Sequence, residues 1–432
     1  MRTAVARHTV LGQWHRRHGA NPAEFAGYEM PLWYPAGARA EHLAVLAAVG
    51  VFDTSHMAVL RVSGPGAFGL LQHCHTRDLG ALLPVGDPPR CTYGVFLDAR
   101  GHVVDDAVVY GLSPDRFLVV VNAGMGPRVA AHLTAHAPGP GAVVEDLTDR
   151  LGKIDVQGPG AARLLEPLLA DPDRAFRDLG WFRFRGHFDP RAPEAGQVQW
   201  RDGTPVLLSR TGYTGEFGFE LYVEAHRAPA IWADLVEAGE GRGLLPCGLA
   251  ARDSLRTGAV LPLAHQDLGG RPFVRNPWTH ALPLGPGGTG YTKEFLGRAA
   301  LEAAEDAAWT LPFAGFDPRK VPSGASVRSE SGRALGTVLT CTTDMGIDRV
   351  EGRIVSVASP DRPAGFTPRG LCCGFVRVDE PLPPGARVEL CHGRRSIPVE
   401  IVSDIRPDRT ARLPIAAMRT RPSSAPSPEE PP

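Results

Sequence analysis

Short apolar runs alternate with polar turns along the chain, and the period of the apolar positions changes from one segment to the next. EHLAVLAAVG repeats its apolar residues at helical spacing, whereas MAVLRVSG alternates like a strand and leads into PGAFGLLQHC, a short apolar helix. TYGVFLDARGHVVDDAVVYGL reads as the two strands of a β-hairpin, with Ala99-Arg100-Gly101 at the turn. RFLVVVNAG follows as a buried strand, residues 127–136 as a helix, and GAVVEDLTD as the approach to another strand.

LGKIDVQGPGAARLLEPLLA then repeats the theme of MAVLRVSGPGAFGLLQHC: a strand, the tetrapeptide Gly-Pro-Gly-Ala, and an apolar helix. Two copies about 95 residues apart point to an internally duplicated α+β unit rather than a solenoid, whose shorter period recurs more often. From about residue 330 the pattern changes to short β-rich runs between Gly/Pro turns (ALGTVLTCTT, RIVSVAS, GLCCGFVRV, ARVELCHG, RSIPVEIVSDI). That spacing predicts a small antiparallel barrel or jelly roll. The final TRPSSAPSPEEPP has almost no apolar content and reads as disordered.

Composition narrows the function classes. A chain of 432 residues, 43% hydrophobic and 22% charged, is globular and large enough for several cores. Its 46 Lys+Arg against 47 Asp+Glu leave no basic excess for nucleic acid or an anionic membrane, so neither partner is expected. The 50 Gly and 41 Pro exclude a long helical bundle. Seven scattered cysteines without C-x-x-C indicate neither a disulfide framework nor a metal site, and a cytoplasmic location is expected. No apolar run approaches the roughly 20 residues of a membrane helix, and the N-terminus lacks a signal-peptide run.

Four segments place polar residues in or beside apolar strands, where they cost free energy unless paired. In VGVFDTSHMAVL, Asp53-Thr54-Ser55 forms a turn or capping cluster; His56 reads as structural, and Met57 as packing that also suits the face of a flat ring. In GHVVDDAVVY, Asp105 and Asp106 face opposite sides of a strand, so one points inward as a candidate general base unless both sit at a solvated strand end. In SRTGYTGEFGFELYV, Tyr213 is presented from a glycine-rich turn, and Glu220 suits a ligand with two adjacent N–H donors, such as the edge of a pterin. In PCGLAARDSLRTGAVLPL, Arg252 and Arg256 lie four apart on one helix face, one available to an anionic ligand and the other structural.

Taken in order, FAGYEMPLWY, FDTSHM, the Asp105–Asp106 hairpin, QGPGA, RTGYTGEFGFELY, CGLAARDSLR and GGTGYTKEFLGR resemble the glycine-cleavage T-protein (aminomethyltransferase) family. The resemblance runs from about residue 8 to 405. It implies an α+β three-domain cloverleaf around a central tetrahydrofolate site, with a C-terminal antiparallel β-barrel or jelly-roll domain. The corresponding division is 1–150, a folate-binding α+β unit belonging to a discontinuous domain; 151–325, a second α+β unit completing the site; 326–418, the barrel; and 419–432, the tail.

The resemblance also implies transfer of a methylene or methyl group involving folate N5. By position, Asp106 matches the catalytic aspartate, and Val108, Tyr110 and Asn122 its folate-contacting neighbours. Tyr93 matches an aromatic on the folate wall, and Met57 lies in the specific FDTSHM motif. Glu220 matches the carboxylate that holds the pterin edge, while Tyr213 and Arg252 match residues of the tail and substrate side. Lys293, one of only three lysines, falls in the family-like YTKEFLGR.

The departures cluster. Where the family reads R-L-E-A-G-x-P-L-Y-G, this chain has RTGAVLPLAH: Gly258 stands for Glu, Ala264 for Tyr and His265 for Gly. The family's TSG-x-x-SP has become TCTTDMG. The one-carbon donor is therefore either bound to a lipoyl carrier, with an H-protein-like partner, or a small molecule of a folate-dependent demethylase or a methyl or hydroxymethyl transferase of specialised biosynthesis. A non-catalytic folate-binding maintenance protein is the alternative of another class; its reactive Cys has no counterpart near Tyr213.

Overall fold

The computed structural model describes residues 6–83, 86–137, 139–305 and 307–420. The last twelve residues of the expected disordered tail, 421–432, lie outside the described residues.

The predicted hairpin, Cys91–Leu97 with Val103–Ser113, starts a five-stranded antiparallel sheet that continues through Arg116–Val121, Ala58–Ser63 and Val143–Asp146. Helices Ala67–Cys74 and Gly126–Ala135 cover one face, burying Leu70, Leu71, Val129 and Leu133 against Leu60, Val62, Val109 and Val119. Both helices carry apolar residues at the three- and four-residue spacing that gives a single buried stripe.

The second sheet has six strands in the order Phe184–Arg185, Leu207–Ser209, Gly218–Glu224, Leu151–Gln157, Val49–Asp53 and Leu244–Pro246. Strand Val49–Asp53 thus joins the second sheet although it precedes the whole of the first. On one face, Ile154, Val156, Phe219 and Leu221 pack against Trp232 and Leu235 of helix Ala228–Gly239.

The repeated Gly-Pro-Gly-Ala turns are alike in geometry. Gly64 and Gly158 have φ of 99° and 121°, and a Cβ there would meet Gly141 O at 2.2 Å and Ala48 O at 2.6 Å. Ala67 N donates to Gly64 O at 2.9 Å, and Ala161 N to Gly158 O at 3.0 Å. Only glycine meets both demands, the left-handed backbone and the close approach. The expected duplication is thus a duplicated strand–turn–helix corner, one in each sheet.

The C-terminal strands close a six-stranded antiparallel barrel in the order Trp309–Gly315, Leu371–Val378, Ala334–Asp344, Ser326–Ser329, Arg387–His392 and Arg395–Ile401, the last pairing with the first. Val327, Val338, Val376, Leu390 and Val399 fill its interior. Closure leaves no free edge and selects the barrel over a jelly roll. Its first strand begins at Trp309, upstream of residue 326, because the barrel cannot close without Trp309–Gly315 beside Leu371–Val378. Phe273, Trp278 and Phe295 then wedge Val95 and Leu97 of the hairpin against Phe375 of the barrel. Among the described residues, no helix is long and apolar enough to cross a membrane.

Candidate active site

A cavity of about 1620 Å³ lies between the two sheets, helix Leu249–Gly258 and the barrel edge. Met57, Tyr93, Asp106, Val108 and Asn122 line it from the five-stranded side, and Tyr213, Glu220 and Arg252 from the other. Of the nine residues expected at the site, Tyr110 alone is buried behind the wall, its hydroxyl 3.3 Å from Glu220 Oε2.

The aspartate pair is placed by a β-bulge. Phe96 faces Asp105 and Leu97 faces Val103, which leaves Val104 without a partner just before the carboxylates. Asp106 opens onto the cavity, where the Tyr93 hydroxyl donates to Oδ2 at 2.8 Å and the Asn122 amide to Oδ1 at 2.5 Å. Asp105 is fully buried and accepts from the same amide at 2.8 Å and from Asn122 N at 2.9 Å. Neither carboxylate sits at a solvated strand end, since both faces of this sheet are covered. Burial, helped by the neighbouring Asp106 charge, pushes the Asp105 carboxyl up to about 7. Burial raises Asp106 as well, against the hydrogen bonds from Tyr93 and Asn122.

On the opposite wall the sequence reading missed a residue. Lys153, buried, donates to Asp155 Oδ1 at 2.7 Å and to Glu220 Oε1 at 2.6 Å. Asp155 and Glu220 are direct cross-strand partners, and like charges so placed repel unless a cation joins them. Arg252 Nη1 donates to Asp155 Oδ2 at 2.7 Å, so two cations and two carboxylates balance. Burial opposes the Asp155 charge, but Lys153 and Arg252 overcome it and hold the carboxyl at about 2. Glu220 Oε2 accepts from Thr211 at 2.5 Å and from Tyr110 and Tyr222 at 3.3 Å. Glu220 is thus an engaged anchor, and a ligand N–H must share its oxygens with these donors. The signal was present in LGKIDVQ: residues 153, 155 and 157 share one face of the strand, and apolar Ile154 and Val156 the other.

The RTGYTGE turn is held from both ends. Arg210 donates to Gly218 O at 2.6 Å and stacks on Phe217 at 4.1 Å; Glu216 pairs with Arg406 at 3.2 Å and accepts from Thr410 at 2.6 Å. Gly212 lets the backbone press on the Gln157 amide, which a Cβ would meet at 2.2 Å. Tyr213, so presented, donates to Pro262 O and lies 5.0 Å from the Arg252 guanidinium.

The remaining candidates separate. Arg256 is the structural member of its pair, buried on Asp267 at 2.5 Å. Asp53 forms the expected turn, accepting from Ser55 N at 2.9 Å, while its other oxygen lies 2.9 Å from His15 Nε2. His56 lines the cavity with Nδ1 unpartnered among the described residues, and burial depresses it to about 4, so it is neutral. Lys293 donates to the carbonyls of Gln72, His75 (2.6 Å) and Arg77 (3.0 Å), closing the C-terminal end of helix Ala67–Cys74, a structural duty.

Residues 11–272 match the GCVT N-terminal domain. An aminomethyltransferase of Streptomyces coelicolor is 36% identical over 349 residues, 78% of this chain and 86% of that protein. One of Frankia alni is 36% identical over 385 residues, 84% and 96% respectively. Among solved structures, the glycine cleavage system aminomethyltransferase T of Bartonella henselae superposes with a TM-score of 0.72 at 27% identity, covering 95% of this chain and 98% of that one.

Proposed function

The chain belongs to the aminomethyltransferase family that carries the GCVT domain, and from that premise we propose that it transfers a one-carbon unit to or from tetrahydrofolate in the central cavity. The observation that carries the reading is the Asp106 carboxylate, raised by burial and aimed into the cavity by Tyr93 and Asn122. The wall fits the group: two carboxylates on opposite sides, an aromatic face at Tyr93 and a thioether at Met57 suit a flat ring with N–H edges. Tetrahydrofolate supplies a nucleophilic N5 when bound.

The side chains have separate duties. Glu220 accepts N–H groups of the ligand edge, its charge balanced in advance by Lys153, so binding leaves no carboxylate uncompensated. Asp106 orients N5 and takes a proton at Oδ2 or Oδ1. A carboxyl whose affinity for protons is raised by burial serves this duty better than a solvated one. Tyr93 and Asn122 keep the carboxylate in one orientation, and holding two reactants in one geometry supplies much of the acceleration. Arg252 keeps one face on the cavity while tied to Asp155.

The donor is a small molecule or a one-carbon unit bound to a lipoyl carrier. Mass spectrometry of folate products, with candidate donors and with or without lipoylated carrier protein, tests the reading. Methylene- or methyl-tetrahydrofolate formed with one donor supports it. Absence of product with every donor, together with absence of folate binding by calorimetry, would overturn it.

A further inference from the structure

His56 is a buried polar side chain of the cavity wall that takes part in neither the Lys153 network nor the aspartate pair. It is 2% exposed, and its Nδ1 is enclosed with no partner among the described residues. Phe25 and Tyr28 meet the imidazole edge-on, with ring centroids at 5.7 and 6.3 Å, and hold it in place.

Its position follows from the path of the chain. Strand Val49–Asp53 belongs to the six-stranded sheet and Ala58–Ser63 to the five-stranded one, so residues 54–57 span the gap between the sheets. At one end of the span Thr54 N donates to Lys153 O at 3.0 Å, and Lys153 holds Glu220. At the other end Ala58 pairs with Val121, next to Asn122, which holds Asp106. His56 therefore lies on the wall between the Glu220 and Asp106 carboxylates. The neighbouring donor, Asn122, already gives its amide to Asp105 and Asp106.

Burial keeps the imidazole neutral, and a neutral imidazole carries one N–H and one lone pair. A buried N–H left without an acceptor is rarer than an unshared lone pair. The lone pair thus belongs on enclosed Nδ1, and the proton on Nε2, the ring nitrogen with access to the cavity.

We propose that His56 is a specificity-determining residue: it donates Nε2–H to a ring carbonyl of the ligand, so the site takes a 4-oxo pterin and discriminates against a 4-amino one. The inference rests on the folate reading above. In a pterin the C4 carbonyl lies between N5 and the N3–H of the amino edge. With Asp106 at N5 and Glu220 at the N–H edge, the ligand atom between the two carboxylates is that carbonyl oxygen. Acceptor, donor and acceptor along the wall then match donor, acceptor and donor along the ring. A 4-amino ring sets its own N–H against the imidazole N–H and leaves a buried donor unpaired.

Two measurements test it. In ligand-free protein carrying isotope-labelled histidine, NMR near neutral pH should show His56, assigned by its loss in His56→Gln, as the neutral Nε2–H tautomer. The Nδ1–H tautomer or a protonated ring overturns the proposal, whatever the protein does with folate. Calorimetry then compares tetrahydrofolate with its 4-amino analogue, tetrahydroaminopterin, on one preparation of each variant, so that the affinity ratio is independent of the fraction folded. The preference of the unmodified protein for the 4-oxo ring should fall about tenfold in His56→Leu. His56→Gln, whose amide can present a donor or an acceptor, should lose the preference while keeping its affinity for tetrahydrofolate. An equal ratio in the unmodified protein and His56→Leu overturns this inference alone. No binding of either compound to the unmodified protein overturns the folate reading and this inference with it.

Discussion

Asp344 Oδ2 occupies the space that a side chain at Gly258 would fill: a Cβ built on Gly258 lies 1.8 Å from it. Asp344 comes from the barrel, Gly258 from the end of helix Leu249–Gly258, and Asp344 pairs there with Arg406 at 2.5 Å and His42 at 3.0 Å. The two departures noted in sequence, Gly258 for Glu and TCTTDMG for TSG-x-x-SP, therefore meet at one contact between helix and barrel.

That contact predicts strong coupling between the positions. Gly258→Glu should destabilise by about 1–3 kcal/mol through overpacking. Asp344→Gly should cost about 3–5 kcal/mol by leaving buried Arg406 short of a partner. The double variant Gly258→Glu/Asp344→Gly should recover a large part of the loss. Denaturant unfolding of all four proteins measures it, and losses that simply add would refute the coupling.

Lys153→Met should be among the most damaging single changes. It leaves Asp155 and Glu220, direct cross-strand partners, without the ammonium between them. A loss of about 3–5 kcal/mol in urea unfolding is expected, since breaking a buried ion network strands the remaining charges. A loss below about 1 kcal/mol, the range of an exposed pair, would show that the network is not holding the sheet.

Asp106→Asn and Glu220→Gln should separate chemistry from binding. The first keeps the shape of the wall and should bind folate while losing about 10²–10⁴ in turnover. The second should weaken folate binding about tenfold or more, because a charge-assisted acceptor becomes neutral. Calorimetric affinities and product formation distinguish them; a fully active Asp106→Asn would remove its proposed role.

Stability should vary with pH in two opposite windows. Asp155 is held at about 2, below the unfolded value of roughly 3.9, so its contribution is complete above that value and is lost as pH falls toward 2. Asp105 is raised to about 7, so the folded state keeps a proton that the unfolded chain releases; its contribution is present below roughly 4 and is lost as pH rises through 7. Unfolding free energy measured between pH 4 and 7 should therefore flatten in Asp105→Asn. An unaltered slope would mean that Asp105 titrates normally.

Much of the site was legible because period-two alternation and turn chemistry are local. The hairpin, its Gly101 turn (φ 73°), the Gly-Pro-Gly-Ala corners and the opposite facing of Asp105 and Asp106 all follow from residues close in sequence. The Lys153 network was less visible: its members, Thr54, Lys153, Asp155, Glu220 and Arg252, come from four separate segments. Tyr110 lies one layer behind the cavity wall, since spacing gives the face of a strand but not the depth of its side chain behind Glu220.

The sequence by itself determined the strand-rich units, their glycine corners, the neutral charge balance and the strand positions of Asp105, Asp106 and Glu220. Only the tertiary structure brought Asp155 beside them and decided how the carboxylates are charged and held. Whether a buried Asp is depressed to about 2, as Asp155 is, or raised to about 7, as Asp105 is, depends on whether a cation reaches it from a distant strand or helix. Local pattern sets which residues turn inward, but burial multiplies every electrostatic interaction, and the partners that settle its sign are brought together only by the packing of the sheets, helix and barrel.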